Sequence, residues 1–165
     1  MRGTMLQHPP TGPSSWIGLS FWLAVTFVAA WIGSRFQPGD WYAGLIKPAL
    51  TPPAWVFGPV WTLLYVMMAT AAWLVWRRHG LANALGPLGL FLGQLVLNAL
   101  WSYLFFGLQR PGLAFLDIVA LWLAIMATLI AFWRSYPAAG VLLLPYLLWV
   151  SFATYLNFQF WRLNP

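Results

Sequence analysis

Five apolar runs, each about as long as a bilayer-crossing helix of ~20 residues, leave this chain of 165 residues few ways to fold. They occupy residues 16–34, 55–76, 84–106, 112–133 and 138–161. The runs are continuous, whereas barrel strands alternate apolar and polar residues over about 10 positions. In lipid only helices and closed barrels satisfy their own backbone, so the pattern predicts an all-α fold, an integral membrane five-transmembrane-helix bundle in one domain. The first run is longer than the apolar part of a signal peptide and holds Trp16, Trp22 and Trp31, so it reads as a span. Residues 1–15, MRGTMLQHPPTGPSS, read as a short disordered tail, and residues 35–54 as a loop between the first two spans.

Charge is scarce, 6% of the chain, and its eight Lys/Arg against two acids fall almost entirely at span ends. That placement suits head-group contact and makes the lipid bilayer the expected partner, with no nucleic acid. Arg2, Arg77, Arg78 and Arg134 fall on one side of the membrane and Arg35, Lys47, Arg110 and Arg162 on the other, so the charge bias sets neither orientation nor which membrane. There is no cysteine; His8 lies in the tail and His79 at the end of the second span. No paired carboxylates, nucleophile–base set, phosphate loop or metal-ligand cluster lies in any span, so no metal and no required cofactor is expected.

The loop does not read as a floppy connector. In WYAGLIKPALTPPAWVFGPVW, residues 41–61, prolines and rings restrict the backbone and give it apolar surface to bury, which predicts a structured lid. Helical spacing then groups Trp61, Tyr65, Met68 and Ala72 on one face of the second span. The same spacing groups Gln94, Asn98, Trp101 with Ser102, and Phe105 on the third, and Tyr146, Trp149, Ala153 and Leu156 with Asn157 on the fifth. Side chains this broad resist close packing on three helices at once, which predicts a slot between those helices for a large planar apolar ligand. Lys47 is the lid's one cation, placed to meet a ligand carboxylate. Asp117, the one acid within a span, calls for a partner, with Arg110 or the polar end of the third span nearest in sequence. Gly89 and Gly93 form a small-xxx-small pair suited to a homodimer through the third span or to internal packing.

Five separated blocks, WYAGLIKP (41–48) with Pro52-Pro53-x-Trp55, PVWTLLY (59–65), GQLVLNALWSYLFFG (93–107), Asp117, and PYLLWVSFATYLNFQFWRLN (145–164), resemble the translocator protein family. These are the tryptophan-rich sensory proteins of bacteria and the peripheral-type benzodiazepine receptors of mitochondria. The resemblance implies a usually dimeric five-helix bundle whose pocket, under the first loop, binds porphyrins such as protoporphyrin IX, sterols and synthetic ligands. Carried over position by position, it implies Tyr42, Pro52, Phe57, Trp61, Tyr65, Asn98, Trp101, Ser102, Phe105, Trp149, Ala153 and Leu156 as ligand-binding residues. Trp61 and Trp149 look like the pair implicated in porphyrin degradation by some bacterial members. The cholesterol-recognition segment of the mitochondrial members is only partly matched: Phe158 stands where its tyrosine would fall, Arg162 is kept, and Tyr155 is displaced by a turn. The expected function is tetrapyrrole sensing, sequestration or transport, with light- or oxygen-dependent porphyrin degradation as the alternative.

Overall fold

The computed structural model describes residues 13–165, and its order of elements is that of an up-and-down bundle. Helix α1 spans Pro13–Ser34, α3 Ala54–Asn83, α4 Leu85–Ser102, α5 Pro111–Ser135 and α6 Pro137–Leu163, while a short α2, Asp40–Gly44, lies in the first loop. Five of these are long and apolar enough to cross a membrane. Of the tail expected over residues 1–15, residues 1–12, with His8, lie outside the described residues, and residues 13–15 are helical instead.

Three boundaries differ from the sequence reading, each for a local reason. Arg77-Arg78-His79-Gly80 reads as a stop, yet helical hydrogen bonding resumes beyond it to Asn83; Gly80, at φ 70° and ψ 170°, breaks the helix between the two parts. That backbone region is open almost only to glycine. The third span does not run as an α-helix to Phe106, because α4 widens after Ser102 into a π-helical turn, Tyr103–Gly107. Its wide closure is the 2.7 Å bond donated by Leu108 N–H to the Tyr103 carbonyl. The loop, read as a structured lid, contains a short helix: α2 forms there, with Lys47 Nζ donating to the carbonyls of Tyr42 and Ala43 near its C-terminus, both at 3.3 Å.

The spanning helices form a closed ring in the order α1, α3, α6, α5, α4, with the α5–α6 and α4–α5 seams the most extensive. One half of the ring is solid. Met68, Ala72, Val75, Phe91, Phe132 and Tyr146 are at most 1% exposed there. Phe91 is stacked on Phe132 and meets Trp22 of α1 edge to face. The other half, nearer the lid, encloses a cavity. Asp117, 7% exposed, differs from expectation: it forms no ion pair among the described residues, and its Oδ2 has no hydrogen-bond partner. Arg110 precedes it as the exposed residue at the α5 N-terminus, and seven residues of helix separate the two by about 10 Å of rise, beyond direct contact.

Replacing Gly80 tests the break in α3. Gly80→Ala forces a β-carbon into the glycine-only region and is expected to cost about 1–3 kcal/mol, read as a lower melting temperature in detergent. Gly89→Ala, whose added carbon meets no atom within 4 Å, is the control and should melt at or slightly above the parent temperature.

Candidate ligand-binding site

The cavity is about 940 Å³, and it is built from the lid end of every spanning helix. Sequence periodicity already places Trp61 and Tyr65 on the inner face of α3, Asn98, Trp101 and Ser102 on α4, and Trp149, Ala153 and Leu156 on α6. All of these line the cavity, as do Tyr42, Lys47 and Pro52 of the lid loop, Phe57 of α3 and Phe105 of the π turn. The lower members of the stripes do not: Met68, Ala72, Gln94 and Tyr146 are buried in the solid half.

The floor is a directional chain of hydrogen bonds. The Tyr65 hydroxyl donates to Asn98 Oδ1 at 2.6 Å, Asn98 Nδ2 donates to the Tyr146 hydroxyl at 2.9 Å, and that hydroxyl donates to Gln94 Oε1 at 2.8 Å. Gln94 Nε2 ends the chain 3.8 Å from Met68 Sδ. The chain ties α3, α4 and α6 together at one level, and each bond avoids leaving an amide or hydroxyl unpaired in a dry interior, where that costs about 1–3 kcal/mol. A second tie sits higher: Trp101 Nε1 donates to Asn157 Oδ1 at 2.8 Å, and Asn157 Nδ2 donates to the Pro111 carbonyl at the start of α5, also at 2.8 Å.

Rings make the walls. Trp61 packs against Tyr65 at 5.5 Å between centroids and meets Tyr146 edge to face at 6.2 Å; Trp149 meets Phe57 edge to face at 5.8 Å. Phe105 stacks on Trp101 at 5.1 Å. The π turn carries the neighbours Phe105 and Phe106, both of which line the cavity.

The lid is fastened at two places. Trp41 and Tyr42 lay their rings edge-on to Phe105, and Tyr42 also contacts Phe106 and Phe160. Burial there pushes the Tyr42 phenol above its usual range, so the hydroxyl stays protonated. Asn164, just past α6, clamps the loop's middle: its Oδ1 accepts from Ile46 N–H at 2.9 Å and its Nδ2 donates to the Ile46 carbonyl at 3.1 Å. Lys47 lines the cavity while its ammonium bonds two carbonyls and lies 5.0 Å over the Tyr42 ring. Bracing α2 is therefore its observed contact, and meeting a ligand would use what donor capacity remains.

Sequence reasoning missed the contribution of α1 and α5. Phe27, Ala30, Gly33 and Ser34 close the cavity from α1, and Ile118 and Leu121 from α5. Gly33 has a packing reason, since a β-carbon there would stand 3.3 Å from Ser102 Oγ. Of these six residues only Ser34, at the very end of α1, is polar, and only the i, i+3, i+7 spacing of Phe27, Ala30 and Ser34 could have drawn attention to α1.

Known proteins are similar to this chain over most of its length. The human protein named translocator protein is 43% identical over 161 residues, covering 94% of this chain and 92% of its own. A tryptophan-rich protein of Chlorobaculum tepidum is 44% identical over 154 residues, covering 89% and 96%, and the CrtK protein of Rhodobacter capsulatus is 43% identical over 137 residues, covering 81% and 84%. Residues 21–162, which hold the cavity, the lid and all but the first turns of the bundle, match the TspO/MBR family, and the chain belongs to it.

Proposed function

We propose that the protein is a membrane receptor for porphyrin-like tetrapyrroles, holding them in the cavity beneath the lid. The carrying observation is a cavity of about 940 Å³, walled by the rings of Trp61, Trp101, Phe105 and Trp149 and floored by a closed hydrogen-bond chain. That volume lies at the upper end of the ~300–1,000 Å³ typical of small-molecule pockets, as a macrocycle would need, and flat rings favour a flat apolar ligand. Family membership supports a receptor- or transporter-like role. Below the floor the bundle is packed, so a ligand would come and go from the lid end, and sensing or sequestration fits better than passage along the bundle axis. Sterols would use the same apolar walls; Phe158, at the former tyrosine position, packs against Phe115 and under Arg162, away from the cavity lining.

The protein should also pair with a second copy through α4. Gly86, Gly89 and Gly93 face no atom of their own chain within 4 Å of an added β-carbon, so internal packing does not explain them. Close helix approach in lipid uses such residues. Gly93→Leu should keep the melting temperature yet shift chemically cross-linked protein to monomer; dimers surviving in full would remove α4 from the interface.

Titration with protoporphyrin IX should quench tryptophan fluorescence saturably. Trp149→Leu should weaken binding roughly 3- to 10-fold, the worth of one aromatic contact. Lys47→Ala should weaken protoporphyrin and spare a neutral ligand if the ammonium meets a carboxylate; equal losses would leave Lys47 as a brace of the lid. Linear quenching indifferent to Trp149 would contradict the receptor reading. The degrading alternative predicts instead that illumination bleaches the porphyrin band with protein present, and not with Trp61→Phe.

A further inference from the structure

The end of the bundle away from the lid carries chemistry the cavity does not use. Arg77 and Arg78 stand near the end of α3 just before Gly80, and Arg134 lies in the last turn of α5. His79 Nε2 lies 3.0 Å from the Ser135 carbonyl oxygen, one residue past Arg134, and the Arg78 guanidinium sits 5.2 Å over the Tyr136 ring. The end of α3 therefore rests on the α5–α6 turn, with Arg78 on Tyr136 and the exposed Arg134 next in sequence to Ser135. Arg77 turns the other way, 4.7 Å over Trp73, whose indole is itself held by an Nε1–H bond of 2.8 Å to the Ser15 carbonyl.

A guanidinium stacked on a ring keeps its N–H edge free for oxygen acceptors. The side-chain hydrogen bonds at this end run through Trp73, His79, Asn83 and Ser135, and among the described residues none uses an arginine. No acid is near: the chain's two, Asp40 and Asp117, lie in the lid half. Around the arginines, Trp133 is 46% and Leu81 56% exposed, the apolar surface that an acyl chain covers at the membrane interface.

We propose that the surface where α3 meets the α5–α6 turn binds the phosphate of an anionic phospholipid, with Arg78 and Arg134 donating their edges to its oxygens. Paired charge-assisted bonds to phosphate favour arginine geometry, and the flanking Trp133 and Leu81 select a lipid over a soluble anion.

The full chain in neutral detergent, offered equal amounts of phosphatidylglycerol and phosphatidylcholine, reads this directly by native mass spectrometry. Phosphatidylglycerol should be retained roughly 30-fold better, the preference two interfacial charges confer at about 1 kcal/mol each. Arg78→Gln with Arg134→Gln should bring the two lipids near parity, and Arg134→Gln alone, at an exposed side chain without a ring partner, should remove part of the preference. Arg35→Gln with Arg162→Gln, at the lid end, should leave it unchanged. Equal retention of both lipids by the unsubstituted chain, an equal loss from the lid-end pair, or displacement of bound lipid by inorganic phosphate would each overturn the proposal.

Discussion

A buried amide that must not be left unpaired organises this molecule. Asn98 sits in the middle of a five-helix ring, and hydrocarbon offers it no water, so its carbonyl takes the Tyr65 proton and its NH₂ reaches the Tyr146 hydroxyl. Those two bonds, extended to Gln94, fix α3, α4 and α6 at one height. Below that level small and aliphatic side chains such as Ala69, Ala72 and Val75 allow the helices to pack dry. Above it, Trp61, Trp101 and Trp149 hold the helices apart, and a cavity results.

The lid depends on the same upper half. Its rings rest on Phe105, which the π turn presents, and its middle is gripped by the side chain of Asn164, 118 residues away in sequence. Ring packing, a cation bracing a one-turn helix and a side-chain clamp are individually modest. Acting on one loop of fewer than 20 residues between α1 and α3, they restrain it without any covalent link.

The fold class and most of the cavity were legible in the sequence because the informative residues break an apolar background. Gln94, Asn98 and Asn157 are costly in a span, so their spacing marks inward faces. Where the background is unbroken, legibility failed. Helix α1 contributes Phe27, Ala30 and Gly33, none of which stands out in an apolar run. The π turn depends on hydrogen-bond register, which composition does not encode, and α2 is too short for periodicity to reveal. Lys47 and Asp117 show a different gap: an ion's sequence neighbours do not identify its partner, which for Lys47 is carbonyl oxygen and for Asp117 is not Arg110. The resemblance to a known family, carried by blocks from both ends of the chain, supplied Tyr42 and Pro52, which lie off any long helix, and Phe57, which extends the α3 stripe one turn before Trp61.

Under the proposed function a flat macrocycle enters beneath the lid and rests between Trp61 and Trp149, above the Tyr65–Asn98–Tyr146 floor. A crystal structure of the protein with protoporphyrin IX tests it most directly. The ring plane should lie within contact of both indoles, above Asn98 and beneath Tyr42, with the floor bonds intact. A macrocycle bound on the lipid-facing surface, or lying below Asn98 with the floor chain broken, would contradict it.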